Sequence, residues 1–128
     1  SDAWSEASFR SLFGRSEVVF VVATIATDRD EEVVGSVIAT FAADQGEIAN
    51  LAVRPELRRA GHASRLLDFV HREGMRRQAS SMWLEVRESN RAARALYESY
   101  GYREMGRRAR YYENPVEDAL VLSCEIKR

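Results

Sequence analysis

The hydrophobic pattern changes period several times along the chain, and each change marks an element. Trp4, Ala7, Phe9, Leu12 and Phe13 recur at mostly helical spacing with Gly14 behind them, which predicts a short first helix over 4–13. Valine and isoleucine then crowd 17–27 and 33–41 on either side of Asp28-Arg29-Asp30, the pattern of a hairpin. A third strand over 47–53 follows Asp44-Gln45-Gly46 and stops at Arg54-Pro55, because proline cannot donate to a ladder and pushes its neighbour out of register. From 61 to 78 the period lengthens: Ala63, Leu66, Leu67, Val70 and Met75 form one stripe, with Arg65, Asp68, Arg72 and Glu73 off it, as an amphipathic helix requires. A strand over 82–87 comes next. Asn90 is a good N-cap for a second long helix in which Ala93, Leu96, Tyr97 and Tyr100 share a face and Gly101 is the stop. Two last strands, over 102–112 and 117–126, flank Asn114-Pro115. Helix, three strands, helix, strand, helix and two strands together predict an α+β fold with a mixed sheet.

Composition narrows the class. The 128 residues, 45% of them hydrophobic, suffice for one domain with a core and are too few for two. Nineteen basic against twenty acidic side chains leave a charge of -1, so no global field draws the chain to nucleic acid or a membrane surface, and an anion has to be bound locally. Cys124 is the only cysteine, which excludes an internal disulfide, and with only His62 and His71 beside it no metal site is expected. The sequence holds no apolar run long enough to span a bilayer, and its opening Ser1-Asp2-Ala3-Trp4 is unlike a signal peptide. The expectation is a soluble, cytoplasmic protein with no direct nucleic-acid or membrane partner.

The chemistry begins at Arg58-Arg59-Ala60-Gly61-His62-Ala63, between a strand and a helix, where successive backbone N–H groups and the helix dipole can hold a diphosphate. Gly61 permits close backbone approach, Ala63 is compact and a good helix former, and Arg58 and Arg59 can add charge-assisted contacts. A solvated turn with an ordinary glycine is the plain alternative for so short a pattern. His62 reads as an exposed loop histidine, and Arg107-Arg108-Ala109-Arg110 as a solvated face, with the border of a binding pocket as the alternative because Tyr111-Tyr112 follows.

The segment resembles the coenzyme A loop of the GNAT superfamily, Gln/Arg-x-x-Gly-x-Gly/Ala, with Arg58, Gly61 and Ala63 in the fixed positions. The likeness to RimI-type members extends over Asn50-Leu51-Ala52-Val53-Arg54-Pro55, Trp83-Leu84-Glu85-Val86-Arg87-Glu88-Ser89-Asn90 and Ala95-Leu96-Tyr97-Glu98-Ser99-Tyr100-Gly101-Tyr102, in order and spacing, and on to Tyr111-Tyr112 and Glu117-Asp118-Ala119-Leu120. Several motifs in one order are far more specific than any one of them. The one departure is at the start, where such proteins carry a further strand and helix ahead of Trp4-Ser5-Glu6. The uncovered sheet margin that this implies is a reason to expect self-association into a homodimer.

The resemblance implies a GNAT fold, a mixed and mostly antiparallel twisted sheet of about six strands flanked by helices, with splayed central strands. It implies acetyl-coenzyme A as cosubstrate and a protein or peptide N-terminus as acceptor. The coenzyme would lie against Leu51, Ala52 and Val53, on a bulged third strand, and against Arg58, Arg59, Ala60, Gly61, His62, Ala63, Ser64 and Asn90. Glu85 would be the base, provided an apolar setting raises its pKa from a reference near ~4.3. Tyr97 would donate to the departing thiolate, helped by a hydrogen bond or a lowered phenol pKa, and Trp4, Asn50, Tyr111 and Tyr112 would border the acceptor. Cys124, in a hydrophobic strand, reads as core. Near neutral pH a terminal amine is roughly 14% neutral against ~0.04% for lysine, which favours the terminal amine as acceptor over lysine or a small amine. A degenerate coenzyme-binding or protein-interaction module of the same fold is the alternative from another class.

Overall fold

A computed structural model describes residues 8–10, 17–28, 30–58 and 61–126. The strands are β1 (Ser8–Arg10), β2 (Val18–Ala26), β3 (Glu31–Ala42), β4 (Gln45–Val53), β5 (Ser81–Arg87), β6 (Arg103–Tyr112) and β7 (Glu117–Glu125), and the helices α1 (His62–Arg76) and α2 (Arg91–Ser99). A single 3-10 turn, Pro55–Leu57, follows β4. The strands form one sheet in the order β1-β2-β3-β4-β5-β7-β6. Every join is antiparallel except β4 with β5, which is parallel and spans the α1 crossover.

Six of the seven strands and both long helices match the sequence expectation. The first element does not. Ser8–Arg10 is a strand, paired antiparallel with Phe20–Val22 of β2, where a helix over 4–13 is predicted; the rest of that segment lies outside the described residues. The reason is tertiary, since β2 would otherwise present unpaired N–H and C=O groups along its outer side, and a three-residue extended segment satisfies some of them. It also covers part of the margin from which self-association is expected.

The core lies on one face of the sheet. Val19, Val21, Val37, Ala39, Ile48, Met82, Leu84, Leu120 and Leu122 are buried there, and α1 lies across β2 to β5 with Leu66, Leu67 and Val70 fully enclosed. Full burial of a leucine or valine stabilises by about 1.5–3 kcal/mol, so these three side chains alone hold α1 firmly. Met75, placed on the stripe by sequence, is exposed, and Gly74 holds the buried position instead. A Cβ at Gly74 would come within 2.6 Å of Ile126 Cδ1, so a larger residue there would have to displace the end of that isoleucine side chain. Cys124 is buried, as expected of a core residue.

Candidate active site

The site originates in a mismatch between two ladders. β4 and β5 pair only from Gln45↔Ser81 to Ile48↔Leu84, although β4 runs on to Val53 and β5 to Arg87. On its other side β4 gains a residue: Ile38 of β3 pairs with Asn50 and Ala39 with Ile48, leaving Ala49 as a bulge. A bulge bends the strand that carries it, so β4 turns away from β5 just beyond Ile48. The sequence expectation puts the bulge within 51–53; it falls at Ala49, ahead of them. Leu51, Ala52 and Val53 stay paired with Val37, Ser36 and Gly35 of β3, while their side toward β5 carries no ladder. That side is an open strand edge inside the sheet, able to take an extended ligand as an added strand. Leu51 and Val53 are half-buried, alternating with exposed Asn50 and Ala52.

Beyond β4 the chain turns into α1. Gly61 is the N-cap with φ 84°, the left-handed region where glycine carries little strain. The first helical bond runs from the Arg65 N–H to the Gly61 carbonyl at 3.1 Å, so the backbone N–H groups ahead of Arg65 point out of the helix end. The first turn holds no acidic residue to neutralise the positive end of the dipole. Arg58 is exposed in the approaching turn, and Ala63 and Ser64 are half-buried at the helix start. Arg59, Ala60 and Trp4 lie outside the described residues. His62 corrects the sequence reading: it is the first residue of α1 and is buried, not an exposed loop side chain. Position 62 stands one and two turns before Leu66 and Val70 on the same helix face, which makes it a core position.

α2 is tied to this helix end. Asn90 caps α2, its Oδ1 accepting from the Ala93 N–H at 3.1 Å, as its sequence position predicts. The Tyr100 hydroxyl donates to Asp68 Oδ1 at 2.7 Å and to the Ser64 carbonyl at 3.0 Å, sharing one proton between them. Sequence reasoning assigns Tyr100 only to a shared apolar face and misses this anchor. Tyr97 is buried in the core cluster, with its ring 5.4 Å from that of Tyr102 in a T-shaped pair. Burial pushes its phenol up to about 12, the reverse of the lowered value the sequence reading invokes. Tyr102 is pushed up by burial as well, and His71 Nε2 lies 2.8 Å from its hydroxyl.

β5 alternates as its sequence requires. Met82, Leu84 and Val86 are buried on the helix side, while Trp83, Glu85 and Arg87 are half-buried on the other face. Glu85 borders a cavity of about 280 Å³ together with Glu47, Trp83, Val121 and Arg108. Its Oε2 forms an ion pair with Nε of Arg108 from β6; the glutamate side chain is 21% exposed and the arginine 61%. Residues 107–110 are exposed, as a solvated face requires, and Arg108 also borders this cavity, the alternative that its place ahead of Tyr111-Tyr112 offers; its pairing with Glu85 has no local signal, because β7 lies between the two strands. At the end of β6 the Tyr111 and Tyr112 rings pack 5.1 Å apart. The Arg108 guanidinium lies 5.4 Å from the Tyr111 centroid and that of Arg87 4.2 Å from Tyr112. Arg87 also reaches Glu117 at 3.2 Å. The structure thus gathers Glu85, Tyr111 and Tyr112 around one open face, leaves Asn50 exposed at the bulge, and sets Tyr97 on the helix side.

Residues 1–102 match the model of the Acetyltransferase (GNAT) family. The chain belongs to this family. It is 34% identical over 125 residues to the [ribosomal protein bS18]-alanine N-acetyltransferase of Escherichia coli K12, a match covering 96% of this chain and 81% of that protein. The crystal structure of the ribosomal-protein-S18-alanine N-acetyltransferase from Escherichia coli superposes with a TM-score of 0.78 at 30% identity, covering 89% of this chain and 72% of that one. Ard1 from Thermoplasma volcanium gives 0.77 at 26% identity over 85% of this chain and 71% of that one. A chain of the NatC complex bound to Gag peptide and CoA gives 0.78 at 26% identity over 84% and 71%. Among the described residues of this GNAT chain no helix is long and apolar enough to cross a membrane.

Proposed function

We propose that this chain transfers the acetyl group of acetyl-coenzyme A directly to the N-terminal α-amino group of a protein, of the ribosomal-protein-alanine type, in the cytoplasm. The observation that carries the reading is the parting of β4 from β5 at Ile48 and Leu84, with a bare helix N-terminus beyond β4 and a carboxylate on β5. The thioester supplies the activated acyl group. The amides ahead of Arg65, with Gly61, His62, Ala63 and Ser64 at the helix start and Arg58, Arg59 and Ala60 before it, suit a diphosphate. The open edge of Leu51, Ala52 and Val53 suits the pantetheine arm, and an N–H of that edge polarises the thioester carbonyl as an oxyanion donor. Asn90 adds a contact to the arm while capping α2.

Glu85 accepts the proton that the acceptor amine loses, and Asn50, Tyr111, Tyr112 and Trp4 border the acceptor peptide. Tyr97 stays protonated. Complete transfer from a phenol near 12 to a thiolate near ~8.5 is uphill by on the order of 5 kcal/mol, so its part is to donate a hydrogen bond to the departing sulfur while solvent supplies the proton. The observed 34% identity to the Escherichia coli enzyme over most of both chains supports alanine as the first acceptor residue.

The test is acetyl transfer to peptides that differ in their first residue and to one with a blocked N-terminus and an internal lysine. The alanine-led peptide is expected to react at its α-amine, with kcat falling ~10²–10⁴-fold in Glu85→Gln. Absence of heat on titrating the native protein with coenzyme A would sink the reading.

A further inference from the structure

Glu85 is already engaged before any acceptor arrives. Its Oε2 is paired with Arg108, whose strand is separated from β5 by β7. The register explains how the pair spans that distance. Glu85 stands opposite Val121 of β7, and Val121 stands opposite Gly106 of β6, so only the valine side chain rises between Glu85 and the sheet margin in that row. Arg108 is in the next row on the same face, opposite Ala119 and Arg87. Small residues at 106 and 119 leave a path for a long side chain across Val121.

The backbone that carries Arg108 is held on both sides. Arg107 reaches Asp118 Oδ2 and Glu88 Oε2, each at 3.0 Å. The Arg110 N–H donates to Asp118 Oδ1 at 3.0 Å, and Arg110 takes φ 54° at an irregularity in the β6–β7 ladder. The Arg107 guanidinium and the Arg110 backbone N–H thus anchor the strand, and Arg108 alone of the three arginines lies against the cavity.

We propose that Arg108 is a specificity-determining plug: its guanidinium occupies the place at Glu85 that the acceptor ammonium takes on binding. The inference rests on the reading of Glu85 as the acceptor-facing carboxylate. An exchange of one cation for another keeps the carboxylate paired throughout, so a neutral or anionic group entering the cavity has nothing to offer in place of the guanidinium. The exchange is also cheap, because a pair with so exposed an arginine is weak. While paired with Glu85 the guanidinium also lies over the Tyr111 ring, 5.4 Å from its centroid, and that ring contact does not depend on the carboxylate. Arg108 acts through Glu85 and is a positioning residue.

The experiment measures the affinity of an alanine-led peptide for the chain saturated with coenzyme A, which needs no turnover and so does not depend on Glu85 being the base. Arg108→Ala is expected to bind the peptide about two- to fivefold more tightly, the gain from removing a weak competing pair. Arg108→Lys, which keeps the cation, is expected to restore the original affinity. In a Glu85→Gln background the Arg108→Ala gain is expected to vanish, as a contact between the two residues requires. Unchanged or weaker binding in Arg108→Ala would overturn the proposal, and so would a gain that persists beside Glu85→Gln, since that would come from the loss of one positive charge alone. Failure of Glu85→Gln to slow transfer would instead count against the base assignment and leave the affinity result standing.

Discussion

Ile48 and Leu84 are the last residues joined across β4 and β5, and one extra residue, Ala49, turns β4 away immediately after them. The position of the groove in this acetyltransferase is therefore set by a one-residue insertion on the far side of β4. Substitutions in the residues that line and back the groove probe that geometry directly.

Gly35 backs the open edge. A Cβ there would lie 2.8 Å from the Ala52 carbonyl oxygen and 3.2 Å from both Leu66 Cδ1 and Val53 Cγ2. A backbone oxygen cannot step aside without moving β4. Gly35→Ala is expected to destabilise the fold by about 1–3 kcal/mol and to weaken coenzyme A binding with it. Urea unfolding gives the first quantity and calorimetry the second; an unshifted midpoint would contradict the close approach.

Gly61 differs, because a Cβ there would meet nothing within 4 Å. Only its φ of 84° matters. Gly61→Ala is expected to lose about 1–2 kcal/mol from left-handed strain, and Gly61→Asn to lose less, since asparagine visits that region more readily. Thermal melts of the two variants should rank in that order.

His71 should make the fold sensitive to mild acid. Burial holds its imidazole below the ordinary value of 6.5. The unfolded chain takes up the proton first, so the contribution is complete above 6.5 and is lost as the pH falls below it. His71→Gln keeps a polar partner for the Tyr102 hydroxyl but does not titrate. Its melting temperature should fall less than that of the wild type between about pH 7.5 and about pH 5.

Tyr97 works at the other end of the scale. Its phenol is raised from 10.0 to about 12, so the folded form holds a proton the unfolded chain gives up; stability is complete below 10 and declines as the pH climbs through about 12. Tyr97→Phe should flatten that decline. The same variant should lower kcat about tenfold if the phenol supplies one hydrogen bond. A loss of ~10³ or more would mean that it delivers its proton outright.

Much of this protein is set locally and can be read in one dimension. The period along 18–26, 62–76 and 81–87 names strand, helix and strand; Asn90 announces its own cap; alternation alone separates Trp83, Glu85 and Arg87 from Met82, Leu84 and Val86. Each follows from contacts that a residue makes within a few positions of itself. The tertiary structure decided the rest. Three residues at Ser8–Arg10 carry too little pattern to outweigh helical spacing, and they became a strand because β2 offered an edge. The bulge at Ala49 belongs to the register between β3 and β4, and register depends on two strands at once. His62 is buried because of where α1 begins, and Tyr97 holds its proton because of what encloses it. Arg108 meets Glu85 only because strand order and register hold their strands in one alignment on either side of β7. Sequence specifies which face a side chain takes on its own element, whereas its partner across the sheet depends on strand order and register, which exist only once the chain has folded.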